Sequence, residues 1–189
     1  LDSPNMERIG RTANFISGSN ISVNIDHHIS NERFADVNWV DSSASSAGEI
    51  VYLIFKKLGY KIIQEEALCL YVAILTDTGS FRYTNTTSRT HNIAAELLKH
   101  NLNSEKIYQR IYANSSFAEA KLLGLSLSTL RQNKNGSIVW FRLTKSTLTL
   151  IKGNLEQIDN FINVARSIKG VKVVALFKEI KKNEVRVSL

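Results

Sequence analysis

The sequence is poor in cysteine and proline, with one Cys and one Pro among its 189 residues. A single cysteine excludes a disulfide framework and a Cys-based zinc cluster, and it fits the reducing cytosol, so we expect a cytoplasmic protein. One Pro and 9 Gly also exclude collagen-like and low-complexity chains. Because the neighbours of Cys69 in ALCLYVAIL are apolar, we expect a buried thiol there and not a reactive nucleophile.

Long apolar segments are also missing from the sequence. The longest apolar run, Ala67 to Leu75, is half the length of the roughly eighteen residues that a membrane span requires, so we expect no membrane association. Hydrophobic residues make up 43% of the chain and charged residues 22%, which is the composition of a folded globular protein. The length allows one large domain or two small ones.

Positive charge is concentrated in the second half of the chain. Residues 1–100 carry a net charge of −2, whereas residues 101–189 carry +9. Lys and Arg side chains neutralise phosphates, so this half could face a polyanion such as nucleic acid. A solvated Lys-rich surface without a special purpose explains the same charge equally well. Charge alone leaves both interpretations open.

The first part of the chain alternates between strand and helix patterns. Strands are predicted at Ile21 to Ile25 and at Val37 to Val40. Ser46 followed by Glu49 is a capping box that begins a helix, and a further helix follows over residues 64–75. This alternation predicts an α/β fold with a mostly parallel sheet and flanking helices.

The pattern changes near residue 134, where a smaller α+β domain is predicted. The segment IVWFRLT favours a strand, NLEQIDNFINVARSI a helix, and VKVVALFKEI with EVRVSL a hairpin. We therefore predict a domain over 1–115, a helical linker over 116–133 and a second domain over 134–189. Both ends read as interrupted strands, so we expect a fragment of a longer protein.

Acidic and imidazole side chains stand at predicted strand or helix ends. They are Asp2, the triplet Asp26-His27-His28, and Asp77. In open α/β sheets ligands bind outside the carboxyl ends of the strands, and oxygen and imidazole ligands suit Mn²⁺, Mg²⁺ or Fe²⁺, with zinc as a further option. Taken singly, each residue also has an ordinary explanation as a helix cap, a hydrogen-bonding histidine or a turn residue.

Three segments together carry a resemblance to a known family. They are NIDHHISNERFADVNWVD, DSSASSAGE and ILTDTGSFRYTNTTSRT. With these motifs the chain resembles the DHH/DHHA1 phosphoesterases, a family related to the RecJ exonucleases. Within the family it is most similar to the branch of bifunctional oligoribonucleases and 3′-phosphoadenosine-5′-phosphate phosphatases. The DHH triplet alone would be weak evidence, but its spacing from TDTGSFRY is specific.

The resemblance implies a two-metal hydrolytic site. Asp2, His27 and Asp77 correspond to metal ligands, for two Mn²⁺ ions or alternatively Mg²⁺, with a bridging hydroxide that attacks phosphorus. His28 corresponds to a catalytic residue near the scissile phosphate. Asp26 corresponds to the residue that orients the imidazoles.

The resemblance also implies substrate contacts and a domain arrangement. Ser80 and Arg82 are expected to contact the substrate phosphate, since Arg suits oxyanions. Residues 1–115 correspond to the DHH domain and residues 134–189 to the start of the substrate-binding DHHA1 domain. Short single-stranded RNA or nucleotides are the expected partners, and a homodimer is compatible with the sequence. The family's first motif and its GGGH motif are absent, so we expect this segment alone to be weakly active or inactive.

Two alternative functions stay open, and a third is disfavoured. A phosphodiesterase of the same family that acts on cyclic or linear dinucleotides would have the same motifs. A non-catalytic nucleic-acid-binding module would explain the basic second half without needing His27 or Asp77. A Ser-His-Asp hydrolase built on Ser80 and His28 is disfavoured, because no G-x-S-x-G motif is present.

Overall fold

The computed structural model describes residues 1–16, 21–113, 115–151, 159–181 and 184–189. The chain forms two compact units, Leu1–Gln109 and Arg110–Leu189. Helix and strand alternate in the first unit, and helices accompany a mixed sheet in the second, so the predicted α/β class is confirmed. The assignment of the units to a DHH and a DHHA1 domain stays a prediction. Among the residues described, no helix has the length and apolarity needed to cross a membrane.

The first unit contains a parallel strand pair, β1 (Val23–Asp26) and β2 (Val37–Val40), with Asp26 opposite Val40. Its helices are α1 (Met6–Ile9), α2 (Ala13–Ile16), α3 (Ala47–Lys57), α4 (Gln64–Asp77), α5 (Ser88–Leu98) and α6 (Ser104–Tyr112), the last of which continues into the second unit.

The start of the chain lies along the free side of β1. The Asp2 backbone N–H donates to the Ile25 carbonyl at 2.9 Å, whereas the Asp26 carbonyl accepts from Asp41 beyond β2. Successive carbonyls of a strand point to opposite sides, so Asp2 and β2 flank β1. Asn5 caps α1 by accepting from the Arg8 N–H.

Helices α3, α4 and α5 form the core of the first unit. Their apolar side chains repeat every three to four residues and are removed from water, which is the main stabilising contribution to such a layer. The buried apolar residues are Ala47, Ile50, Tyr52, Ala67, Leu70, Tyr71, Ile74, Leu75, Ile93, Ala94 and Leu97. The Ser46 hydroxyl accepts from the Glu49 N–H at 3.1 Å and thereby caps α3.

Helix α4 is buried on one side only. Its buried positions follow helical spacing, and Leu68 and Cys69 fall on the opposite side of the helix, where both are exposed. The prediction of a buried Cys69 is therefore wrong. An apolar run does not distinguish a helix buried all round from one whose outer face is apolar but exposed.

The second unit contains a four-stranded sheet in the order β3-β4-β5-β6. Its elements are α7 (Phe117–Leu127), β3 (Arg131–Gln132), β4 (Ile138–Leu143), α8 (Lys145–Ile151), α9 (Asp159–Arg166), β5 (Val173–Lys181) and β6 (Glu184–Ser188). β4 and β5 are parallel, whereas the β3–β4 and β5–β6 pairs are antiparallel. The helix predicted around residues 154–168 is described only from Asp159, since its first part lies outside the described residues.

One face of this sheet carries the core of the second unit. Alternate side chains of β4, at Val139, Phe141 and Leu143, are buried and pack with Leu176 of β5. Helices α7 and α9 complete the cluster through Leu122, Phe161, Ile162 and Ala165. The strand alternation seen in IVWFRLT thus corresponds to a half-buried strand.

Candidate metal centre

Three separate segments bring acidic and imidazole groups together in the first unit. The His27 Nε2 atom lies 3.4 Å from Asp2 Oδ1 and 3.6 Å from Asp77 Oδ2. His27 follows β1, Asp2 lies along its free side, and Asp77 is the last residue of α4. Asp2 has a φ of 57°, a left-handed conformation that is costly outside glycine and recurs at functional sites. The sequence prediction that these three residues meet agrees with this geometry.

His28 lies at the same cluster. One potential ligand atom from each of Asp2, His27 and His28 lies within 4.8 Å of the others. The His28 Nδ1 atom is 3.8 Å from Asp2 Oδ1, and the two imidazole centroids are 4.8 Å apart. The structure therefore places His28 beside the three residues predicted to hold metal.

The carboxylates of Asp2 and Asp77 both lie next to His27. Burial and the nearby Asp2 carboxylate raise the pKa of Asp77 above its ordinary value, although His27 and His28 oppose the shift. Within the described ranges, no Lys or Arg forms an ion pair with Asp2 or Asp77. Two converging carboxylates and an imidazole are the donor set that divalent cations use, so these residues fit a metal.

Asp26 is fully buried and supports His28. Its Oδ1 atom lies 2.8 Å from His28 Nδ1, and Asn31 Nδ2 donates to its Oδ2. Burial alone would raise the pKa of Asp26, but the hydrogen bonds from His28, Asn31 and the His27 backbone outweigh it and lower the pKa below its ordinary value. An ionised carboxylate only accepts, so Nδ1 of His28 carries the proton and Nε2 is the nitrogen left available.

Asn31 is a site residue that the sequence interpretation did not single out. Its Nδ2 group also donates to the Ser3 carbonyl at 3.2 Å, so it joins Asp26 to the residue after Asp2. In the sequence, the one indication of a role for Asn31 was its position three residues after the Asp26-His27-His28 triplet.

Ser80 lies in a left-handed turn after α4. Gly79, Ser80 and Phe81 have consecutive φ values of 55°, 61° and 63°. The Ser80 N–H donates to the Leu75 carbonyl at 2.8 Å, and Arg82 donates from Nε to the Gly79 carbonyl at 2.7 Å. The turn keeps Ser80 and Arg82 in the segment next to Asp77. Their contact with a substrate stays a prediction.

A buried carboxylate lies in the first turn of helix α3. Glu49 is fully buried and accepts hydrogen bonds from the N–H and hydroxyl of Ser45, from the Thr90 hydroxyl and from the Arg89 guanidinium. The sequence had indicated Glu49 only as a capping residue. Its partners come from a loop and from α5, so helix spacing could not reveal them.

Comparisons with known proteins show which proteins the chain is similar to. The bifunctional oligoribonuclease and PAP phosphatase NrnA of Bacillus subtilis is 29% identical over 98% of this chain and 59% of its own length. A probable protein of the same name from Streptococcus mutans is 32% identical over the whole chain and 60% of its own length. No family model matches the chain.

A solved structure supports the same relationship. The crystal structure of an exopolyphosphatase-related protein from Bacteroides fragilis superposes with a TM-score of 0.92 at 27% identity, covering 99% of this chain and 56% of that one. The predicted relationship to the DHH phosphoesterases is confirmed. These relatives are named as hydrolytic enzymes, which agrees with the predicted enzyme class. The chain spans about 60% of the length of these two NrnA proteins.

Proposed function

We propose that the protein is a metal-dependent phosphoesterase that hydrolyses short oligoribonucleotides to 5′-mononucleotides and removes the 3′-phosphate of 3′-phosphoadenosine-5′-phosphate. The observation that supports the proposal is the convergence of Asp2, His27 and Asp77. A carboxylate oxygen of Asp2 and one of Asp77 each lie within 3.6 Å of His27 Nε2. The names of the curated relatives support the same two substrates.

Asp2, His27 and Asp77 would hold the metal, with Mn²⁺ as the expected ion and two ions in the complete site. When bound, such cations supply an activated water and neutralise charge on the phosphate. The raised pKa of Asp77 supports this assignment, because a cation offsets the repulsion between the two carboxylates.

His28 would act on the substrate phosphate. With Nδ1 held by Asp26, its ring orientation and tautomer are fixed, and Nε2 is available to a phosphate oxygen or a leaving group. Asp26 itself is buried and has no access to substrate, so it acts through His28. Ser80 and Arg82 would add donors to the non-bridging phosphate oxygens.

The second unit would contribute binding to the RNA backbone. Residues 101–189 carry a net charge of +9, and Lys and Arg side chains favour phosphates through release of counterions. If the second unit binds RNA in this way, the KM for RNA should rise steeply with salt concentration. The kcat should change much less, because the metal centre lies in the first unit.

The test is a hydrolysis assay of the complete gene product that contains this chain. A labelled RNA dinucleotide and 3′-phosphoadenosine-5′-phosphate would be incubated with Mn²⁺, and released mononucleotide and phosphate would be measured. His27→Ala should abolish both activities. His100→Ala is the matched control, because His100 follows α5 and is assigned no role.

Each outcome of this assay is informative. Turnover that is lost in His27→Ala and retained in His100→Ala supports the proposal. RNA binding without turnover would replace it with a non-catalytic binding module. Hydrolysis of cyclic dinucleotides in place of both substrates would replace it with a signalling phosphodiesterase.

A further inference from the structure

The Asn85 amide joins the end of helix α4 to the loop before helix α3. Its Nδ2 group donates to the Asp77 carbonyl at 3.1 Å and to the Ser45 carbonyl at 2.9 Å. Asp77 is the last residue of α4, where helix carbonyls lack partners within the helix. Asn85 therefore supplies a partner to the backbone of a residue predicted to hold metal.

The orientation of this amide is determined by its surroundings. Both hydrogen-bond partners are carbonyl oxygens, which only accept, so the atom that faces them must be the nitrogen. The Oδ1 atom of Asn85 is buried and has no hydrogen-bond partner among the described residues. A buried acceptor without a partner costs free energy of folding. The two hydrogen bonds that Nδ2 donates offset this cost and explain why an amide side chain is found at residue 85.

The Ser45 end of the bridge is itself held firmly. Ser45 donates from its N–H and its hydroxyl to Glu49, which is fully buried and paired with Arg89. Arg89 also reaches the Ser43 hydroxyl at 3.4 Å. Asn85 thus connects Asp77 to a rigid network that involves α3, α5 and the loop between β2 and α3.

The Asp77 carboxylate has no comparable support of its own. Within the described ranges, its one close polar contact is His27, with Oδ2 at 3.6 Å from Nε2. The backbone of Asp77 sets the direction of its Cα–Cβ bond and therefore the region that the carboxylate can reach. The bond from Asn85 restricts rotation of the Asp77 peptide unit and so helps to hold that bond in the direction from which the carboxylate reaches His27.

We propose that Asn85 is a positioning residue, which holds Asp77 for metal binding through its backbone carbonyl. The proposal rests on the proposed function, since it requires Asp77 to be a metal ligand. Asn85 itself contacts neither metal nor substrate in this scheme.

The test measures Mn²⁺ affinity by isothermal titration calorimetry on the complete gene product, next to its denaturation midpoint. Asn85→Ala removes both donated bonds and should weaken Mn²⁺ binding about tenfold, as loss of an outer partner of a metal ligand does. Asn38→Ala is the matched control, because the Asn38 amide also donates to two backbone carbonyls, those of Arg33 and Ala35. This control should lower stability without changing Mn²⁺ affinity.

Asn85→Asp provides a second variant of nearly the same shape. It adds a negative charge, which by itself would strengthen cation binding, yet it cannot donate to either carbonyl. Weaker Mn²⁺ binding in this variant therefore separates positioning from electrostatics.

Wild-type Mn²⁺ affinity in folded Asn85→Ala would overturn the proposal. Equal weakening in Asn85→Ala and Asn38→Ala would also overturn it, since a general loss of stability would then explain the effect. Failure of wild-type protein to bind Mn²⁺ would instead contradict the proposed function.

Discussion

The guanidinium of Arg89 and the buried carboxylate of Glu49 form an ion pair that joins helix α5 to helix α3. Arg89 donates from Nε to Glu49 Oε1, while Ser45 and Thr90 occupy Oε2. The Glu49 side chain is fully buried, whereas that of Arg89 is 41% exposed. Both oxygens of the carboxylate thus accept hydrogen bonds from residues outside helix α3.

Arg89→Ala should destabilise the first unit by about 3 kcal/mol, because it leaves a buried carboxylate without its counter-charge. Denaturant unfolding, followed by circular dichroism, measures the change. Lys99→Ala is the control, since it breaks an exposed ion pair with Glu96 and should cost less than about 1 kcal/mol. Equal losses in the two variants would contradict a structural role for the buried pair.

Gly79→Ala should cost more than Gly59→Ala. Both glycines have positive φ, of 55° and 65°, so an added Cβ strains the backbone of each by about 1 kcal/mol. A Cβ at Gly79 would also lie 2.4 Å from the Tyr83 ring, whereas nothing lies within 4 Å at Gly59. We expect a further loss of about 1 kcal/mol at Gly79 in thermal unfolding.

Removing the ring provides the control for this prediction. In a Tyr83→Ala background the two glycine substitutions should have the same effect, because the Tyr83 contact is then gone. A persistent difference would show that the ring is not responsible.

Ser43→Ala should raise the pKa of Asp41. Hydrogen bonds from the Ser43 hydroxyl and backbone hold this pKa below the ordinary 3.8, against the opposing effect of burial. Since the folded-state pKa is the lower one, the ionised carboxylate stabilises the fold above about pH 4, and this contribution is lost as the pH falls through the lowered pKa.

Carboxyl ¹³C NMR titration measures this effect directly. In Ser43→Ala the Asp41 resonance should titrate closer to 3.8, and acid unfolding should begin at a higher pH. An unchanged midpoint would contradict the assignment of the shift to the Ser43 hydroxyl.

The sequence predicted local features well, and it predicted that Asp2, His27 and Asp77 converge. Helix α4 begins where it was predicted and ends two residues later, β1 and β2 form where strands were predicted, and His27 lies next to Asp2 and Asp77 as the motifs implied. These features depend on short periodic patterns or on motif spacing, which the sequence contains directly.

Features that depend on contacts between distant segments were missed. The bond from Arg89 to Glu49 and the bond from Asn85 to the Ser45 carbonyl each link residues 40 positions apart, and no local pattern encodes such pairs. The exposure of Cys69 was also missed, because burial depends on which face of α4 is covered by neighbouring helices.

The proposed metal centre can be tested by anomalous diffraction from crystals of the complete gene product soaked in Mn²⁺. We expect a manganese peak within bonding distance of His27 Nε2 and of the Asp2 and Asp77 carboxylate oxygens, and the loss of that peak in His27→Ala. Hydrolytic activity with Mn²⁺ but no peak between these three side chains would contradict it.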